Sequence, residues 1–117
     1  MHEVTIWYNP NCSKCREALA ILDENECEIV AVEYLKTIPT KDEITTALTM
    51  LGMNPRELMR TKEEIYSELD LGAEDDYDNL VDAMIKHPIL IERPIIFKDS
   101  KAIIGRPTSA IAKFLQG

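Results

Sequence analysis

The chain has 117 residues, 45% hydrophobic content and a formal net charge of -8. That length suits one domain, and that apolar fraction can build a core without staples. The acidic balance argues against any role that neutralises nucleic-acid phosphates with Lys and Arg, yet charges are screened over about 8 Å at physiological salt, so locally gathered arginines can still hold a small anion. No apolar run approaches the roughly 20 residues of a spanning helix, and no basic region followed by an apolar one opens the chain. Neither a membrane nor a nucleic acid is expected as a partner, and a monomer is expected. Three cysteines, an odd number, point to a reducing compartment rather than a disulfide framework, so a cytoplasmic protein is expected.

Taken in order, residues 3–8 alternate as a strand, and about 13–24 carry Ala18, Leu19, Ile21 and Leu22 at helical spacing. Glu28-Ile29-Val30-Ala31-Val32-Glu33-Tyr34 is a second β-rich run. Strand, crossover helix and strand in so short a space imply parallel neighbours with a right-handed connection. Cys12 then falls at the carboxyl end of the first strand, the edge where open α/β sheets bind ligands.

Thr40 followed by Glu43 fits a capping box, and the stripe Ile44, Leu48, Leu51 ends at Gly52. Asn54-Pro55 marks another helical start. Residues 54–86 read as short helices, and His87-Pro88 stops the last of them. Ile95-Ile96-Phe97 and Ala102-Ile103-Ile104 form a hairpin pattern around Lys98-Asp99-Ser100-Lys101. Thr108 or a near neighbour is then expected to cap a final helix holding Ile111, Phe114 and Leu115. The fold class is α/β, in the order β-α-β, helices, β-β-α. That order resembles the thioredoxin-like arrangement, here as a single domain over 1–117 with a helical insertion at about 40–87.

The stretch Tyr8-Asn9-Pro10-Asn11-Cys12-Ser13-Lys14-Cys15-Arg16 places Cys12 at a helix start, where backbone N–H groups lack partners and the macrodipole is positive. Lys14 and Arg16 add positive charge. A cysteine in such a setting falls from a pKa near 8.5 to roughly 3.5–7.5, which makes it a nucleophile at neutral pH. Cys12 and Cys15 share one face of the helix, one turn apart, which suits reversible disulfide formation. Half of a zinc site is the alternative, but no second pair has ligand-like spacing among Cys27, His2 and His87, and no metal is expected. Cys15 reads either as a resolving thiol or as a small packing residue, and Cys27 as core.

Arg60, Arg93 and Arg106 stand out, the last two each preceding a proline at the hairpin's flanks. Guanidinium is planar, permanently charged and forked, and suits bidentate grip on a tetrahedral oxyanion. The plain alternative for each is an ordinary surface arginine. His87 suits a helix end, and His2 carries no assigned role. Glu74-Asp75-Asp76-Tyr77-Asp78 reads as a solvated helix start, and Glu63 and Glu64 as surface acids.

Tyr8-Asn9-Pro10-Asn11-Cys12, Tyr34-Leu35 with Pro39-Thr40, Arg60, His87-Pro88-Ile89-Leu90-Ile91 running into Arg93-Pro94-Ile95, and Gly105-Arg106-Pro107 together resemble the glutaredoxin-coupled arsenate reductases of the ArsC type, within the ArsC/Spx superfamily. The resemblance covers essentially the whole chain. It implies that Cys12 attacks arsenate while Arg60, Arg93 and Arg106 hold its oxygens. It further implies a cis Arg93–Pro94 peptide, no bound cofactor, glutathione as co-substrate, and glutaredoxin or thioredoxin as the protein partner. Two positions depart from the pattern: Tyr8 stands where many such enzymes carry histidine, and Cys15 is a second cysteine that they usually lack. Cys15 is similar instead to the CxxC switch of Spx-type regulators, which touch RNA polymerase. The shorter length and Arg106-Pro107 favour the reductase, and an ArsC-like thiol oxidoreductase without arsenate activity is the third reading.

Overall fold

The computed structural model describes residues 3–116; His2 lies outside them. The chain divides into two compact units, one made of the residues up to Thr37 together with those from Arg93 onward, the other of Ile38–Glu92.

The first unit holds all four strands: β1 (Glu3–Tyr8), β2 (Glu28–Glu33), β3 (Ile95–Lys98) and β4 (Lys101–Ile104), in the sheet order β2-β1-β3-β4. β1 pairs parallel with β2, and the helix α1 (Ser13–Glu24) makes the crossover between them. β3 lies antiparallel to β1 in the register Ile6↔Ile96, and β4 returns antiparallel to β3. The hairpin turn puts Asp99 at φ 57, a left-handed position that Asp tolerates because its short polar side chain can bond locally. The helix α5 (Ala110–Gln116) closes the unit.

Side chains alternate across β1, so Val4 and Ile6 share one face with Ile96 of β3. Ala18 and Leu22 of α1 and Ile111 and Leu115 of α5 pack onto that face, giving one cluster of almost fully buried apolar residues. Each large member stabilises the fold by about 1.5–3 kcal/mol relative to an exposed position. Trp7 points to the opposite face, where its ring meets Phe97 at a centroid distance of 5.0 Å and a tilt of 56°. The central strand and its helix are therefore anchored by packing on both sides of the turn that joins them at Asn9-Pro10-Asn11.

The second unit is helical. The helix α2 (Lys41–Leu51) opens with Thr40 accepting from the Glu43 N–H at 3.1 Å while the Glu43 carboxylate accepts from the Thr40 N–H at 2.9 Å. It closes at Gly52, whose φ of 67 suits glycine and lets Met53 N–H reach the Leu48 carbonyl. Asn54-Pro55 opens a short 3-10 turn (Pro55–Leu58) through a second capping box with Glu57. The helix α3 (Glu64–Glu68) and a 3-10 turn (Leu71–Ala73) lead to the helix α4 (Tyr77–Lys86), capped by Asp76 accepting from Asn79 N–H at 3.1 Å. A further 3-10 turn (Pro88–Leu90) follows His87. α2 packs on α4, with Ile44, Ala47, Leu48, Leu80, Val81 and Met84 all buried. Lys41 bridges Asp78 and Asp82 of α4 at 3.5 and 3.6 Å.

Three details refine or add to the sequence expectations. β2 stops at Glu33, and Tyr34, expected as its last residue, leaves the strand to become fully buried. Much of the 54–70 stretch is 3-10 or a single helical turn, because its apolar residues are too few to hold a longer helix against a core. Arg106–Pro107 is cis as well as Arg93–Pro94.

Candidate active site

β1 ends at Tyr8 and α1 begins at Ser13, and the intervening turn is organised by Asn9. Its carbonyl accepts the Cys12 N–H at 3.0 Å, and its side-chain Oδ1 accepts the Asn11 N–H at 3.0 Å. Its own N–H donates to the Cys15 sulfur at 3.4 Å. An Asn side chain that bonds its own backbone two residues on makes a tight turn without help from neighbours, so the Asn-Pro-Asn sequence fixes where Cys12 stands. Asn9 is a site residue that the sequence reading did not single out, although that tripeptide was its visible signal.

Cys12 is the N-cap of α1, half-buried and extended in backbone (φ -97, ψ 123), and its side chain makes no hydrogen bond of capping geometry. No acidic residue occupies the first turn of the helix. Burial pushes the Cys12 thiol up, but the Cys15 N–H, the Cys15 thiol, the Arg93 side chain and the Lys14 N–H all favour the thiolate and outweigh it, bringing the group down to about 7. The helix N–H groups thus act on the sulfur rather than on a conventional cap. Arg106 Nη2 also reaches the Cys12 Sγ, at 3.4 Å.

The charges of Lys14 and Arg16, expected to help, are engaged elsewhere: Lys14 pairs with Glu17 at 3.4 Å, and Arg16 donates to the Pro10 carbonyl at 3.0 Å. What Lys14 contributes to the sulfur is its backbone N–H.

Two arginines converge on Cys12 from the hairpin's flanks. Arg106 Nε donates to the Arg93 carbonyl at 2.6 Å, which locks the two residues together. Their loops meet tightly at Gly105, where an added Cβ would sit 3.0 Å from Pro94 Cγ and 3.2 Å from Ile111 Cδ1. A side chain there would make its neighbours give by a few tenths of an ångström, and the next residue carries the guanidinium to the sulfur. Arg93 hydrogen-bonds to both Cys12 and the fully buried Tyr34. Its Nε and Nη1 are buried and have no partner among the described residues. Forked donors left unanswered beside a thiolate await an acceptor such as an oxyanion. Tyr34 is a second residue to which the sequence reading gave no role at the site, since it looked like one more apolar strand position.

Cys15 is fully buried. Burial first, and the neighbouring Cys12 second in kind, hold its thiol up at about 11 against the pull of the Asn9 N–H and of Arg93. Cys12, Cys15, Arg93 and Arg106 therefore come together in the first unit. Arg60 belongs to the second unit, where its N–H donates to the Leu90 carbonyl and its Nη2 pairs with Glu63 at 3.3 Å. Its Nη1 is buried without a partner among the described residues. Cys27 is half-buried with its thiol raised, chiefly by burial. His87 ends α4, donating its N–H to the Ala83 carbonyl at 2.8 Å. Among the described residues no group of three or more His, Cys, Asp or Glu is placed to hold a metal ion, and no helix is long and apolar enough to cross a membrane.

The family model described as the ArsC family matches residues 7–114. The chain is 40% identical over 117 residues to an arsenate reductase of Neisseria meningitidis, covering 98% of this chain and 100% of that one. It is 43% identical over 115 residues to the uncharacterized protein YfgD of Escherichia coli, covering 97% of each. Among solved structures, the arsenate reductase from Vibrio cholerae superposes with a TM-score of 0.92 at 41% identity, over 96% of this chain and 97% of that one.

Proposed function

This chain belongs to the ArsC family, as an arsenate reductase of thioredoxin-like fold, and we propose that Cys12 is its nucleophile, with Arg93 and Arg106 holding the oxyanion. The Cys12 sulfur lies against two arginines, one of which keeps two buried, unanswered nitrogens; that observation carries the reading. Cys12 thiolate adds to arsenic(V), a sulfur–arsenic bond forms, and an arsenate oxygen leaves as water after protonation. Negative charge then rests on the remaining oxygens, where fixed guanidinium donors stabilise it without having to reorganise. Arg60, expected from the resemblance as a third oxyanion ligand, belongs to the second unit.

A second thiol must release arsenite from the adduct. Glutathione is the external candidate, with glutaredoxin returning Cys12 to the reduced state in a cytoplasmic setting that favours free thiols. The Arg106 contact with the sulfur supports oxyanion chemistry over a role as a redox-sensing regulator. The test is arsenate-dependent NADPH oxidation with glutathione, glutaredoxin and glutathione reductase. Turnover that disappears in Cys12→Ser is expected. Absence of turnover with every thiol donor, while arsenate fails to protect Cys12 from alkylation, would overturn the reading.

A further inference from the structure

Cys15 stands one helical turn beyond Cys12 with no exposed surface, beyond the reach of an external thiol or a large oxidant. Two neighbours act on its sulfur with opposite effects. Toward Cys12 it is a donor, its S–H hydrogen-bonding to the thiolate. From the other side the Asn9 N–H points at it from 3.4 Å, a donor that a neutral thiol scarcely needs and a thiolate accepts well. Two adjacent thiolates repel, so while Cys12 is ionised Cys15 keeps its proton. Once Cys12 is bonded to arsenic, the negative charge has moved off the sulfur onto arsenate oxygens that Arg93 and Arg106 neutralise. The Asn9 N–H remains, and with the Cys12 thiolate gone it favours ionisation of Cys15.

We propose that Cys15 is an internal resolving thiol, armed by formation of the Cys12–arsenic adduct, which gives the enzyme a glutathione-independent exit from its first step; this rests on the arsenate reductase reading above. Cys15 Sγ attacks Cys12 Sγ. The sulfur–sulfur bond forms as the sulfur–arsenic bond breaks, and the electron pair of the broken bond stays on arsenic, which passes from V to III. The proton of Cys15 goes to the departing arsenite. A Cys12–Cys15 disulfide remains, and two electrons from a dithiol protein of the thioredoxin or glutaredoxin class reopen it. Helix-start cysteines at this spacing close and reopen readily. In this step Cys15 bonds to the reacting sulfur itself, so its role is catalytic in the strict sense.

The experiment is a single turnover of the full chain, reduced, freed of small thiols and mixed with arsenate. About one arsenite per chain is expected, with loss of the Cys12 and Cys15 thiols and retention of Cys27 as the internal control. Trypsin cuts after Lys14 and Arg16, so the disulfide is read as residues 1–14 linked to the dipeptide Cys15-Arg16. Cys15→Ala is expected to release less than about a tenth of the wild-type arsenite under these conditions. The mapped disulfide in the unaltered protein stands independently of how that variant folds. Arsenite released only after glutathione is added, with the Cys15 and Cys27 thiols intact beforehand, would overturn this inference and leave the arsenate reductase reading standing. No arsenite with or without glutathione would overturn both.

Discussion

Helices α1 and α2 begin in opposite ways. At the start of α2, Thr40 and Glu43 answer each other's backbone N–H groups, and Asp42 and Glu43 face the positive end of the dipole. α1 begins with a sulfur in place of a capping oxygen and with no acid in its first turn. In α2 the electrostatics of the helix start are spent on holding the helix; in α1 they are left for an ionised nucleophile and the anion that it meets. The difference teaches where a fold keeps its chemistry: at a terminus that local stability alone would have capped with Ser, Thr or Asp.

The largest way to sharpen that contrast is to make α1 resemble α2. Cys12→Ser is expected to lower arsenate turnover at least about 10³-fold by removing the nucleophile. The same change installs a preferred N-cap and is expected to raise unfolding free energy by about 1 kcal/mol in denaturant titration. Loss of activity without any gain in stability would weaken the comparison. Next, Arg106→Ala is expected to lower kcat/KM about 10²–10³-fold, as removal of one oxyanion donor does elsewhere. It should also move the pH midpoint of Cys12 alkylation upward, since one of the sulfur's donors is gone.

The mirror experiment is in the second helix. Thr40→Ala breaks a complete capping box and is expected to cost about 1 kcal/mol of stability, while the Cys12 midpoint stays at about 7. The smallest expected effect falls on Lys14→Gln: the ammonium is exposed and paired with Glu17, so the Cys12 midpoint should move by less than about 0.3 unit. A larger movement would mean that side-chain charge, rather than the backbone, holds the thiolate.

Much of this was legible in the residues. β1, α1, the Thr40–Glu43 box, the Gly52 stop and the Ile95–Ile104 hairpin each follow from a periodicity or a cap that acts within a few residues. The pairing of β1 with β3, and with it the arrival of Arg93 and Arg106 at Cys12, joins segments far apart in the chain and is seen in the register Ile6↔Ile96. Tyr34 and Asn9 were not legible as site residues, because what matters about them is a partner far along the chain or a backbone direction. A β-rich run ending in tyrosine gives no sign that its hydroxyl meets an arginine 59 residues later, the separation of Tyr34 and Arg93. The directions of Lys14 and Arg16 were hidden for the same reason: sequence reports that a cation is near, and only the fold reports that it points at Glu17 or at Pro10.

The most direct test is the rate of Cys12 alkylation by a small neutral reagent as a function of pH, read by mass on the peptide of residues 1–14. A group whose ionised form is favoured reacts at its plateau rate above its midpoint and loses that rate as pH falls through it. The predicted midpoint is about 7, raised in Arg106→Ala. A midpoint near the ordinary cysteine value of about 8.5, identical in the folded and urea-unfolded chain, would contradict it.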